Sequence, residues 1–177
     1  LVVISTRDQK GVTLKDMNRG TIYDGPLVIM VNGASASASE VLAATIQDYN
    51  RGLIVGSKTY GKATGQNLFP LGVTDTEKHS QRKLAGNEGF VKVTTQRLYR
   101  VTGKSAQSRG IVPDVTLPDI FAMLDLHESK QPFAMPQDSI AKNTYYRPMK
   151  PMNRELLQSR SHERILQRPE FQELQEA

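Results

Sequence analysis

The chain has 177 residues, with 23 Lys and Arg against 18 Asp and Glu, a formal net charge of +5 and no cysteine. That length suits one core, or one domain with an appendage, and the missing cysteines exclude disulfides and thiolate metal sites while leaving the compartment open. No apolar stretch approaches a membrane span, and the first residues lack the pattern of a secretory signal.

In chain order, Leu1-Val2-Val3-Ile4-Ser5 begins directly as a strand without an initiator methionine, which suggests a piece of a longer protein. Asp24-Gly25-Pro26 is a turn signal, and the unbroken apolar run Leu27 to Val31 predicts a strand buried on both faces, ended by Asn32-Gly33. From Ala38 the positions Val41, Leu42, Thr45, Ile46 and Tyr49 recur at helical spacing, and Asn50-Arg51-Gly52 is a stop. Leu53-Ile54-Val55 predicts the next strand, followed by a turn from Gly56 to Gly61. A polar loop is expected around Asp75 to Lys83, and Gly89 to Arg100 alternates as a β-rich segment. Residues 1 to about 118 thus form one unit of strands and a long helix. From about 119, Pro132, Pro136, Pro148 and Pro151 break up a linker-like stretch. Two amphipathic helices are then expected, Glu155 to Gln167 and Glu170 to Gln175, with Leu156, Leu157, Ile165 and Leu166 on one face.

The run Ser35-Ala36-Ser37-Ala38-Ser39-Glu40 falls at a strand-to-helix turn. The first N–H groups of a helix lack intrahelical partners and can donate to a developing negative charge, so the Ala38 amide is a candidate oxyanion donor. A serine hydroxyl needs a base to become a nucleophile. Lys62 is placed at the end of the strand that follows the helix, where ends of a parallel sheet converge on one edge. Burial disfavours the charged form of an amine, so a lysine desolvated there can accept the serine proton. Gln66 is polar in an otherwise apolar approach to Leu68-Phe69-Pro70, and its amide is a candidate to orient Lys62. The same residues also suit a plainer role: Ala and Ser alternate before many helices as caps and close-packing residues, and a lysine after glycine suits a solvated turn.

Two other chemistries fit less well. His79, His127 and His162 lie downstream in polar or loop-like surroundings, outside any recognisable triad signature. Gly56 to Ala63 fits a phosphate-binding P-loop except at its last position, where Ala63 replaces the magnesium-ligating Ser or Thr. Gly65, Pro70 and Gly72 also leave no room for the helix that a P-loop lysine opens.

The strings Gly25 to Val31, Ser35 to Glu40, Gln47-Asp48-Tyr49, Val55-Gly56 and Thr59-Tyr60-Gly61-Lys62 resemble the protease core of the tail-specific, or C-terminal processing, serine proteases. Gly110-Ile111-Val112-Pro113-Asp114-Val115 resembles the closing segment of that core. Asp138-Ser139-Ile140 and Arg168-Pro169-Glu170-Phe171 look like the C-terminal extension of the tail-specific branch. The resemblance implies an α/β layered sheet of the ClpP and crotonase type with a helical C-terminal extension. It places the nucleophile on Ser37, the general base on Lys62, the supporting glutamine on Gln66, and an aspartate that matters in some members on Asp48. A structural role for Asp48 at the helix end is an equal alternative.

The resemblance further implies peptide-bond hydrolysis near the C-terminus of unfolded or tagged proteins, with no metal or organic cofactor and a periplasmic location. Peripheral association with membrane or adaptor proteins stays open. In that family a second oxyanion donor and a PDZ domain lie upstream of the region matching Leu1, so these residues alone are expected to be poor catalysts. A non-catalytic binding or scaffolding fragment is the competing expectation. Between Lys78 and Arg109, eight Lys or Arg residues face a single acid, Glu88. Without aromatics interleaved at a recognisable spacing no nucleic-acid partner is expected; a solvated sheet face is the plain expectation, and guidance of a substrate carboxylate the sharper one.

Overall fold

The computed structural model describes residues 2–9, 11–18, 20–71, 89–142 and 144–176. Its elements are strands β1 (Val2–Thr6), β2 (Val12–Leu14) and β3 (Val28–Val31), helix α1 (Ala38–Asp48), strands β4 (Leu53–Gly56), β5 (Thr64–Pro70), β6 (Phe90–Tyr99) and β7 (Val115–Thr116), and helices α2 (Ile120–Met123), α3 (Arg154–Leu166) and α4 (Pro169–Glu176). The expected polar loop and His79 lie outside the described residues.

The strands form two sheets. One is parallel, in the order β3-β4-β7, with Val28 opposite Leu53 and Val31 opposite Gly56. The other is antiparallel, in the order β2-β1-β6-β5, with a register shift between Gly65 and Gln66. The fold class is therefore mixed α/β, as expected. Helix α1 connects β3 to β4 as a parallel crossover must, and two alanines, Ala43 and Ala44, let it lie close against the sheet. Val31, Ile54, Ala63, Ala106 and Ile111 complete that core.

Three expectations change. The strand at Leu27 to Val31 is buried on one face only: Val28 is 57% exposed and Met30 78%, while Val31 is buried. Because β3 is the edge of its sheet, an apolar run there does not imply two covered faces. In α3 the buried positions are Ser161 and Ile165, with Arg154 and Leu157 half-buried above them. Leu156 and Leu166 are exposed, since neighbours in a helix point about 100° apart and cannot share one narrow stripe with Leu157 and Ile165.

The proline-rich stretch is also more than a linker. Glu128 N–H donates to the Tyr60 carbonyl at 3.0 Å and Met149 N–H to the Tyr49 carbonyl at 2.8 Å. Thr13 and Thr144 hydroxyls pair at 2.6 Å, and Tyr146 packs on Tyr49 with ring centroids 5.2 Å apart. Proline restricts this chain to extended paths without preventing its backbone from docking.

Candidate active site

Ser37 is the residue before α1, and its backbone is unusual, with φ 58° and ψ −113°. A side chain at positive φ is strained, and such strain persists only where surrounding bonds over-determine it. Here the determinant is Glu40, which is 1% exposed. Its Oε2 accepts from the Ser37 N–H at 2.9 Å and from the Lys62 N–H at 2.8 Å. Its Oε1 accepts from the Gly61 N–H at 2.8 Å and from the Thr59 hydroxyl at 2.5 Å. One buried carboxylate thus fastens the serine turn to the lysine turn, with four donors on two oxygens.

Neighbouring contacts fix the same geometry. The Ser35 carbonyl accepts from the Tyr60 N–H at 3.0 Å. Ser35 Oγ accepts from the Asn32 N–H at 3.1 Å, which closes the turn before α1. Thr59 Oγ1 accepts from the Ile111 N–H at 2.7 Å, tying the loop before β7 to the lysine turn. Gly110, at φ 70°, lets the chains cross there: a Cβ on it would stand 2.3 Å from the Thr59 carbonyl oxygen. The Ala63 N–H is held by Gln107 Oε1 at 2.8 Å.

Ser37 and Lys62 line one narrow cavity of about 20 Å³, together with Glu40, Val41, Leu98 and Arg100. Lys62 is half-buried, and its Nζ donates to the Thr64 carbonyl at 2.8 Å. Ala38 is the first residue of α1, so its N–H has no intrahelical acceptor.

The remaining candidates stand apart from this cavity. Gln66 lies on the exposed side of β5, just past the register shift, with its amide 3.5 Å from Thr94 Oγ1. Asp48 ends α1 and grips Arg100 through two bonds, 2.6 Å and 2.9 Å, so it reaches the cavity only through that guanidinium. The residues following Lys62 form β5, not the helix of a phosphate-binding loop. His162 lines an open groove between α3 and the loop after β7, and His127 precedes the turn Glu128–Lys130.

Glu40 and Thr59 were not anticipated as site residues. Glu40 had a local signal, since Ser37-x-x-Glu40 is the spacing of a capping box. Thr59 and Gln107 had none, because their partners come from distant parts of the chain.

Together, the fold and the site define an α/β protein in which a strained serine opens a helix at a strand-to-helix turn. Peptidase family S41 matches residues 1–117, and the chain belongs to that family. It is 37% identical to the tail-specific protease of Haemophilus influenzae over 124 residues, which is 70% of this chain and 17% of that protein. It is 34% identical to the carboxy-terminal-processing protease of Bartonella bacilliformis over 118 residues, 65% of this chain and 24% of that one. A solved photosystem II D1 C-terminal processing protease aligns with 66% of this chain and 27% of its own, at 33% identity and a TM-score of 0.49. The chain therefore spans about a fifth of the length of these curated relatives.

Proposed function

We propose that the chain carries the nucleophile and base of a serine endopeptidase that hydrolyses peptide bonds near the C-terminus of unfolded or tagged proteins. The observation that supports this most is the Glu40 carboxylate, whose Oε2 bonds the backbones of both Ser37 and Lys62 and brings the two side chains to one cavity. Ser37 Oγ attacks the scissile carbonyl while the Lys62 amine takes its proton. The Ala38 N–H donates to the resulting oxyanion, and the proton passes to the leaving amine. Water, deprotonated by the same amine, then releases the acyl group and regenerates Ser37. For this the Lys62 amine turns from the Thr64 carbonyl to Ser37 Oγ, a rotation within one flexible side chain. Gln66 supports Lys62 in this scheme only if it leaves its present partner, Thr94. A periplasmic location belongs to the same proposal and rests on the resemblance alone.

The test is substitution of Ser37→Ala and Lys62→Ala in a version extended upstream of Leu1, assayed on an unstructured peptide. Each is expected to lower kcat by roughly a thousandfold or more with folding retained, the scale on which removal of a nucleophile or base acts. Full activity in either variant means that the pair is misassigned. The 177 residues alone are expected to turn over the peptide more slowly than the extended version. Comparable rates would show that one oxyanion donor suffices.

A further inference from the structure

Beside the Ser37 cavity lies a second one of about 320 Å³, walled by Arg100, Lys104, Arg109, Arg154, Gln47 and Ser105. We propose that it binds a carboxylate of the peptide substrate, an inference that rests on the peptidase reading above. Its lining contains four cations and no acid. Two of the cations are braced from behind. Arg100 is held by Asp48 through two hydrogen bonds, whereas Arg154 Nε stands 2.9 Å from Asp114 as an ion pair without hydrogen-bond geometry and its Nη2 donates to Asn50 Oδ1 at 3.0 Å; both carboxylates are nearly buried, with side chains 7% and 4% exposed. Gln47 ties the two braces together, accepting from Arg100 at 3.0 Å and donating to Asp114 at 3.1 Å.

A guanidinium whose one edge is fixed by a buried carboxylate presents its remaining N–H groups in a set direction, which suits a second planar anion. Lys104 and Arg109 are exposed at the mouth, with no side-chain ion pair among the described residues. The local balance is therefore cationic by two charges. The volume admits a peptide end or one acidic side chain.

The position of Arg100 points to a substrate group and away from an unrelated anion. Arg100 lines both this cavity and the one that holds Ser37 and Lys62. Gln47 lies ten residues along α1 from Ser37, about 15 Å at the helical rise, so a carboxylate seated here is about four or five residues of extended chain from the scissile bond. Its charge comes either from a free C-terminus or from an Asp or Glu side chain, and the chemistry is the same for both.

The experiment measures peptide affinity with the full chain carrying Ser37→Ala, so that no ligand is consumed. Three peptides are compared: one with a free C-terminus and no acidic residue, its C-terminal amide, and an amidated version with one Glu. The expected result is at least about tenfold tighter binding of one or both carboxylate peptides than of the neutral amide, weakening as salt rises. That preference should fall by about the same factor in the double variant Lys104→Gln, Arg109→Gln. These exposed positions leave the fold intact, which circular dichroism checks. Preference for the free acid identifies a C-terminus, and preference for the Glu peptide identifies a side chain. Equal binding of all three peptides, or a preference unchanged in the double variant, overturns the inference. A parallel turnover assay with Ser37 present, in the version extended upstream of Leu1, separates the two readings: a carboxylate preference without hydrolysis there would refute the peptidase reading and leave the binding site standing.

Discussion

Glu40 shows how a single side chain converts a local pattern into a site. In the sequence it completes a capping box, a feature of helix starts worth about 1 kcal/mol. In the fold the same carboxylate also collects the Thr59 hydroxyl and the N–H groups of Gly61 and Lys62. Replacing it with Gln keeps one acceptor and introduces an NH₂ group that faces two donors. Leaving a buried donor unpaired costs about 1–3 kcal/mol, so Glu40→Gln is expected to destabilise the protein by about 3 kcal/mol in urea unfolding, and to depress peptidase activity beyond the loss in folded fraction. A variant with unchanged stability and activity would mean that Glu40 fastens nothing. The strand-to-helix turn that carries Ser37 was legible because it is a local pattern, whereas the choice of Ser37 as nucleophile and Lys62 as base rests on the resemblance. Sequence alone could not show Thr59 and Gln107, whose partners Ile111 and Ala63 are brought to them only by the fold.

Tyr99 offers a pH test at the same scale. Its hydroxyl donates to Asp138 Oδ2 at 2.8 Å, and Arg97 binds the same oxygen. Burial first, and then Asp138, push the Tyr99 phenol above its ordinary value of 10.0. The folded state therefore keeps this proton after the unfolded chain has begun to lose it. Its contribution to stability is full below about pH 10 and is lost as pH rises through the folded value. Tyr60 is raised in the same direction, by burial and then by Glu128. Melting temperature is expected to fall steeply above about pH 10, and less steeply in Tyr99→Phe, which has no proton to lose. Equal alkaline slopes would show that Tyr99 does not report on folding.

At the scale of elements, strand edges and helix faces decided where the sequence pattern was sufficient. Helical spacing placed α1, whose Ala43 and Ala44 pack on the sheet, whereas alternation placed β6 although its first four residues are all exposed and its burial does not alternate. The apolar run of β3 suggested two covered faces, yet an edge strand needs only one. The basic segment from Lys78 to Arg109 gives a related lesson, since acids far away in sequence, Asp48 and Asp138, neutralise Arg100 and Arg97. The loop before β7 depends on one backbone feature. Gly110→Ala is expected to cost more than about 1 kcal/mol, because alanine is strained at φ 70° and its Cβ collides with the Thr59 carbonyl. The measurement is thermal unfolding, with activity expected to fall alongside as Thr59 shifts against Glu40. An unperturbed melting temperature would show that the crossing can relax.

For the molecule as a whole, the question is whether residues beyond the family-matched 1–117 act independently of the core. Asp114 argues that they do not. Its Oδ2 accepts from the Ile54 N–H at 3.0 Å inside the core, while its other oxygen pairs with Arg154 at the start of α3. Gln158 adds a bond of 2.8 Å from the next turn of α3 to the Asp114 carbonyl. Proline patterning could not reveal this, because the docking groups are backbone atoms and single polar side chains without periodicity. Arg154→Ala removes the charge that partners a nearly buried carboxylate. Because the guanidinium itself is 37% exposed, the expected cost is about 2 kcal/mol, below that of a fully buried pair. If α3 is fastened mainly here, limited proteolysis should cut the segment between α2 and α3 several-fold faster in Arg154→Ala than in the unaltered chain, and core unfolding should shift with it. Faster cleavage with an unshifted core transition would instead describe an appendage that docks without contributing to the core.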